Sequence, residues 1–168
     1  MSDLYQEHLV KKERTTKDMV VKAAVIGVTV ILAAAGLFIQ PIILIAAIVF
    51  GCLGYFFWLP GTDLEYEYLY VNGELDIDKI MSKTKRKKVK SLDIKNADLV
   101  APTNSHRMDY YNNSQKLKTL DFSSGNPQHK RFSIVIRDGG ETCIVIIEPD
   151  EKMISAMRMS APSKVFLD

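Results

Sequence analysis

No charged residue occurs between Ala23 and Thr62, although a quarter of this 168-residue chain is charged. Cysteine is almost as scarce. Cys52 lies inside the uncharged stretch and Cys143 in a strand-like run, which suggests neither a disulfide framework nor a metal site and fits a reducing compartment. The three histidines, His8, His106 and His129, stand in separate polar segments with no Cys, Ser or Asp partner at a motif spacing. They read as surface residues. Asp138-Gly139-Gly140 is followed by a strand-like run rather than a helix, so it is a turn and not a phosphate loop. Asp76-x-Asp78 lacks the Gly and terminal Glu of a calcium loop. No catalytic, cofactor-binding or metal residue is assigned, no cofactor is expected, and the chain is expected not to be an enzyme. The formal net charge of +2 points to no acidic bulk partner, and the basic segments lack the interleaved aromatics of a nucleic-acid platform.

What fills the uncharged stretch is apolar. About 20 helical residues cross a hydrocarbon core of roughly 30 Å, so there is room for two spans. Gln40-Pro41 divides the run almost centrally, and Pro is poor inside a helix but suited to its first position. The expectation is a hairpin of two helices, 19–39 and 41–59. Closing it at 40/41 sets Ala34 opposite Ala47, Val30 opposite Gly51 and Gly27 opposite Gly54. Ala47, Gly51 and Gly54 share one face of the second helix, and small residues so spaced allow close helix approach. Gly27, Ala34, Ala47, Gly51 and Gly54 are therefore the candidate helix-packing face, although Gly and Ala are frequent in any membrane helix. Tyr55, Phe56, Phe57 and Trp58 fall where an aromatic belt belongs.

Lys11, Lys12, Arg14, Lys17 and Lys22 precede the first span, and the turn between spans has no Lys or Arg. The positive-inside rule then places both termini in the cytoplasm. A cleaved signal peptide ending at Ala33-x-Ala35 is the competing reading. Its charged segment would be unusually long, and a second apolar stretch follows at once. Residues 1–18 form a cytoplasmic segment in which Leu4, Tyr5 and Leu9 have helical spacing and Asp3 and Gln6 resemble a capping box. A short interfacial helix and a frayed terminus are both open there.

Beyond the hairpin, residues 63–168 change to alternating periodicity. Leu64, Tyr66, Tyr68 and Tyr70 alternate with Glu65 and Glu67, and Asn72-Gly73 then leads into Leu75 and Ile77, a hairpin signal. The acidic residues between Asp63 and Asp78 read as the solvated face of an edge hairpin. Lys83, Lys85, Arg86, Lys87, Lys88 and Lys90 form the most basic run, with a parity change near Ser91. That run is either a lipid- or partner-facing surface or an edge strand protected from aggregation. Further strands are expected at Asp98–Ala101, Leu117–Phe122, Arg131–Arg137 and Glu141–Ile147, with a long exposed loop from Asn104 to Gln115. Ile144 to Ile147 are apolar on both parities, as in a strand covered on both faces. A helix over 149–160, with Met153, Ile154 and Met157 as its apolar stripe, closes the chain.

Five to seven strands and one closing helix make an α+β chain: a transmembrane helical hairpin, then a small antiparallel β-barrel capped by a C-terminal α-helix. This layout, with its closing helix after Glu148-Pro149-Asp150, resembles small uncharacterised bacterial membrane-protein families in which a two-helix hairpin precedes a pleckstrin-homology-like (PH-like) domain. The resemblance implies the fold; the apolar hairpin and the lack of an assigned active site lead to the expectation of a membrane-tethered, non-enzymatic interaction module at the cytoplasmic face of the cell membrane. Besides the bilayer, its partners would be a protein, a second copy of itself or anionic lipid, and not nucleic acid. The alternative is a small accessory subunit of a larger membrane complex, joined through the Gly/Ala face.

Overall fold

The computed structural model describes residues 5–113 and 117–168, and the chain divides into two compact units. One contains Tyr66–Lys79, Lys87–Asp168 and the N-terminal residues through Lys12. The other contains Glu13–Glu65 and Ile80–Arg86.

In the helical unit, α1 (Thr16–Phe38) opens on a capping box. The Thr15 hydroxyl accepts from the Asp18 N–H at 3.3 Å, and the Thr15 N–H donates to the Asp18 carboxylate at 2.9 Å. The turn holds Gln40 and Pro41, and α2 (Ile43–Leu53) begins two residues later than the Pro-first expectation. A π-helical turn, Gly54–Trp58, and a 3₁₀ turn, Leu59–Thr62, carry the helical path onward. α1 and the continuous helical stretch Ile43–Thr62 are each long and apolar enough to cross a membrane, and 11% of the 18-residue apolar window of each is buried. A core helix of a soluble protein would be mostly covered; these are not.

The first surprise lies before the hairpin. Tyr5–Lys11 is a strand, β1, and not an interfacial helix; Asp3 and Leu4 lie outside the described residues. β1 is hydrogen-bonded beside β2 (Leu64–Val71) in a sheet ordered β1-β2-β3-β4, with β3 at Glu74–Met81 and β4 at Lys85–Asp93. Helical spacing of three apolar residues is a weak signal against an open sheet edge whose backbone groups need partners. The β domain is thus not the continuous segment 63–168. It begins at β1, and the helical hairpin is inserted in its first connection. β2 consequently becomes an interior strand, and Glu65 and Glu67 are each 8% exposed rather than solvated.

The second sheet is ordered β5-β7-β8-β6, with β5 at Leu99–Pro102, β6 at Lys118–Asp121, β7 at Phe132–Asp138 and β8 at Glu141–Ile147. β7 and β8 pair antiparallel around Gly139-Gly140, but β6 lies parallel to β8, with Lys118 beside Cys143 and Asp121 beside Ile146. The two sheets are not closed into a barrel. Alternation reports which face a residue takes, but it does not report which strand lies next to it. The expected closed antiparallel arrangement fails at that point.

The main core lies between the sheets and under α4 (Glu151–Ser160): Tyr68, Tyr70, Leu75, Ile77, Ile134, Val145, Ile147, Met153 and Met157 are among its buried residues. The Tyr68 hydroxyl donates to the Phe122 carbonyl at 2.6 Å and accepts from the Glu148 N–H at 3.3 Å. Burial pushes its pKa well above the ordinary phenol value. A second cluster of Leu99, Ala101, Met108, Val135 and Ile144 covers the outer face of the second sheet. The apolar double parity of β8 follows from this. Residues 104–113 are accordingly not a plain exposed loop. Their 3₁₀ turn His106–Met108 and short helix α3 (Asp109–Asn112) place Met108 and Tyr111 against that face, while Gln115 lies outside the described residues.

Asp150 caps α4, accepting from the Met153 N–H at 2.8 Å, and Pro149 precedes the cap rather than opening the first turn. Met153, Ile154, Ala156 and Met157 are buried, and the Tyr70 hydroxyl reaches the Ala156 carbonyl at 3.5 Å. Truncating a buried Met costs about 2–5 kcal/mol, a large share of the roughly 5–15 kcal/mol that holds a domain folded. Met157→Ala should therefore lower the melting temperature of the detergent-solubilised chain by many degrees, followed by near-ultraviolet circular dichroism. Met159→Ala, on the 65% exposed side of the same helix, should leave it unchanged.

Candidate functional site

β4 is the outermost strand of its sheet, and it carries the basic run. Lys83 sits in the β3–β4 turn, where Ser82 and Lys83 both adopt positive φ (48° and 57°). Lys85, Arg86, Lys87 and Lys88 are exposed along the strand. The cations are not equivalent. The Lys88 ammonium donates to Asp76 at 2.7 Å, and Lys90, whose side chain is 15% exposed, is paired with Asp138. Ser91 also donates to Asp76, at 2.5 Å. β4 continues through Ser91 to Asp93, yet Val89 and Leu92 both pack into the main core. The parity change is real, but it is absorbed inside the strand.

The small-residue face is formed, with a different membership. Ala47 and Gly54 are buried, and Gly51 is half-buried. A Cβ at Gly54 would overlap Val25, and one at Gly51 would meet the Thr29 methyl at 3.2 Å. Gly36, which sequence reasoning missed, is the tightest point against backbone: its Cβ would lie 2.8 Å from the Leu44 nitrogen. Gly27 and Ala34 are not in the seam. Nothing lies within 4 Å of a Cβ at Gly27, and Ala34 is exposed. Matching depth along a hairpin fixes height but not rotation about the helix axis. The face that α1 turns to α2 runs through Val25, Thr29 and Gly36 instead.

Two further groupings were invisible in the sequence. Ser124, His129 and Glu148 converge: Ser124 Oγ donates to Glu148 Oε2 at 2.6 Å, and His129 Nδ1 lies 2.7 Å from Glu148 Oε1 and 3.3 Å from Ser124 Oγ. This is not a nucleophile with its base. Serine and carboxylate both address the same ring nitrogen, whereas a triad needs them on opposite nitrogens. The cluster instead fastens the β6–β7 loop, with the Ser124 N–H also donating to Glu148 at 3.1 Å. His129 is thus engaged, and His8 is half-buried near the Tyr68 ring, while His106 stays exposed beside Asp109. Among the described residues, no three His, Cys, Asp or Glu side chains are placed to hold a metal ion, and Cys52 and Cys143 are both free. A groove of about 760 Å³ lies beside Ile154 and Ser155 of α4, and its lining includes both cations, Lys130 and Arg131, and carboxylates, Glu151 and Asp168.

Two expectations follow. Gly36→Ala and Gly54→Ala overfill the seam, a change that costs about 1–3 kcal/mol. Both should lower the thermal stability of the full chain in detergent, whereas Gly27→Ala should not. Partial burial of Asp76 opposes its ionisation, but the bonds from Lys88 and Ser91 outweigh that and hold its carboxyl below the ordinary value. The stabilisation is complete above the unfolded carboxylate pKa of about 3.9 and is lost as pH falls through the lower folded value. Asp76→Asn should therefore reduce the acid-induced loss of stability by at most about 1 kcal/mol, the range of solvent-screened pairs. Melting temperature against pH, beside the parent, reads this directly, and parallel curves would discount the pair.

The comparisons with known proteins agree with the layout. No curated protein and no solved structure matches the chain. A family described as a bacterial PH-like domain (DUF6106) matches residues 2–167. The match begins before β1 and runs past α4, so it covers both sheets, the hairpin between β1 and β2 and the closing helix. The chain belongs to this bacterial PH-like domain family.

Proposed function

We propose that this chain is a membrane-anchored, non-enzymatic interaction module of the cell membrane. Its hairpin spans the bilayer twice, both termini are cytoplasmic, and the PH-like domain offers the cationic edge of β4 to a protein partner or to anionic lipid headgroups. The observation that carries the reading is the position of the hairpin between β1 and β2, neighbours in one sheet. Two paired strands occupy one side of a bilayer, so the chain between them crosses an even number of times. Two apolar, uncovered helices fit that requirement. Lys11, Lys12, Arg14, Lys17 and Lys22 favour the cytoplasm for the shared side.

The carboxylates between Asp63 and Asp78 oppose an anionic surface less than their number suggests. Glu65 and Glu67 are buried, and Asp76 is neutralised by Lys88. The accessory-subunit reading retains a narrower basis. Ala47, Gly51 and Gly54 are turned into the seam, leaving Gly27 and Ala34 as the small residues an outside helix could approach.

Topology is the test. Reporters fused to either terminus should be active only in the form that marks the cytoplasm. A cysteine introduced beside Asp168 should resist an impermeant thiol reagent in intact cells and react after lysis. Labelling from outside would overturn the cytoplasmic placement of the termini.

A further inference from the structure

The helical unit carries a groove of about 470 Å³ along the side of α2 turned away from the seam. Ile48, Cys52, Phe56 and Phe57 form much of its wall, and Lys85 is its single cation. The volume falls in the range of about 300–1,000 Å³ typical of sites for small molecules. Phe56 and Phe57 stand 57% and 75% exposed, although they belong to the π-helical turn that ends the apolar run. No carboxylate lines the groove, and Lys85 has no ion-pair partner among the described residues.

An apolar wall closed by one uncompensated ammonium suits a hydrocarbon chain ending in an anionic group, and beside a bilayer that group is foremost a lipid phosphate. We propose that this groove seats a single anionic phospholipid, its acyl chain along Ile48, Cys52 and Phe56 and its phosphate on the Lys85 ammonium. The inference rests on the membrane-anchored reading and narrows it. Lys85 would be the lipid contact, while Lys88 and Lys90 are held by Asp76 and Asp138 within the domain. A zwitterionic lipid fits the wall equally but brings its own cation to Lys85, so the site discriminates by headgroup charge. One Lys beside an anionic surface gives about a five-fold preference.

Trp58 is the only tryptophan, and it follows the groove's last aromatic residue directly. It supplies a built-in probe, because brominated acyl chains quench indole fluorescence on near contact. The full chain is placed in vesicles of phosphatidylcholine and phosphatidylglycerol with the bromine on one lipid, then on the other. Brominated phosphatidylglycerol should quench Trp58 more than brominated phosphatidylcholine at equal mole fraction, with an apparent local enrichment of about five-fold. Lys85→Gln should abolish the excess, whereas Lys85→Arg and Lys87→Gln should keep it. Equal quenching by the two lipids, or an excess that survives Lys85→Gln, would overturn the lipid site while leaving the anchor intact. Absence of quenching by either lipid would overturn the anchor, and the site with it.

Discussion

The pairing of β1 with β2 is the contact on which the rest depends. These strands are neighbours in one sheet, yet the whole helical hairpin separates them in the chain. Pairing over so long an intervening segment carries an entropic cost that grows only slowly with length. The hairpin lowers it further by returning the chain to where it left. A tight α1–α2 seam and a complete first sheet are therefore coupled requirements. Gly36, Gly51 and Gly54 let the helices approach, and that approach brings the ends of the hairpin back together.

The β domain answers a different constraint, that of covering both faces of its second sheet. α4 and the first sheet cover one face through Met153, Met157 and Tyr68, and Met108, Tyr111, Leu117 and Phe166 cover the other. Tyr68 shows how polar atoms survive in such a core. Its hydroxyl both donates and accepts, so full burial leaves it satisfied. The Ser124–His129–Glu148 cluster serves the same economy at the domain's surface, tying a loop to the end of β8.

Features governed by local chemistry were legible in the residues. The two apolar helices, the Asn72-Gly73 and Gly139-Gly140 turns, the double parity of β8 and the amphipathic closing helix all follow from spacing and turn residues. The Thr15-x-x-Asp18 box at the start of α1 is equally local, a signal that the sequence carries and that sequence reasoning did not use. What could not be read depends on distant pairing. β1 takes its structure from β2, and β6 takes its parallel partner from across β7 and the turn beyond it. The candidate site divides in the same way. The cationic edge was plain in composition, but only the fold separates the paired Lys88 and Lys90 from Lys85.

The insertion of the hairpin also sets an order of events during synthesis. β1 is made before the hairpin, but its neighbour in the sheet does not exist until the hairpin has been translated. Through that interval Tyr5–Lys11 is a strand without a sheet, and the first sheet can be completed only once the chain has passed through both helices and returned to β1. Under the two-span topology proposed above, a hairpin that stalled halfway would leave β2 on the far side of the bilayer from β1 and the domain short of an edge. Under that topology, folding of the β domain would serve as a checkpoint on insertion of the apolar hairpin, set by chain order alone.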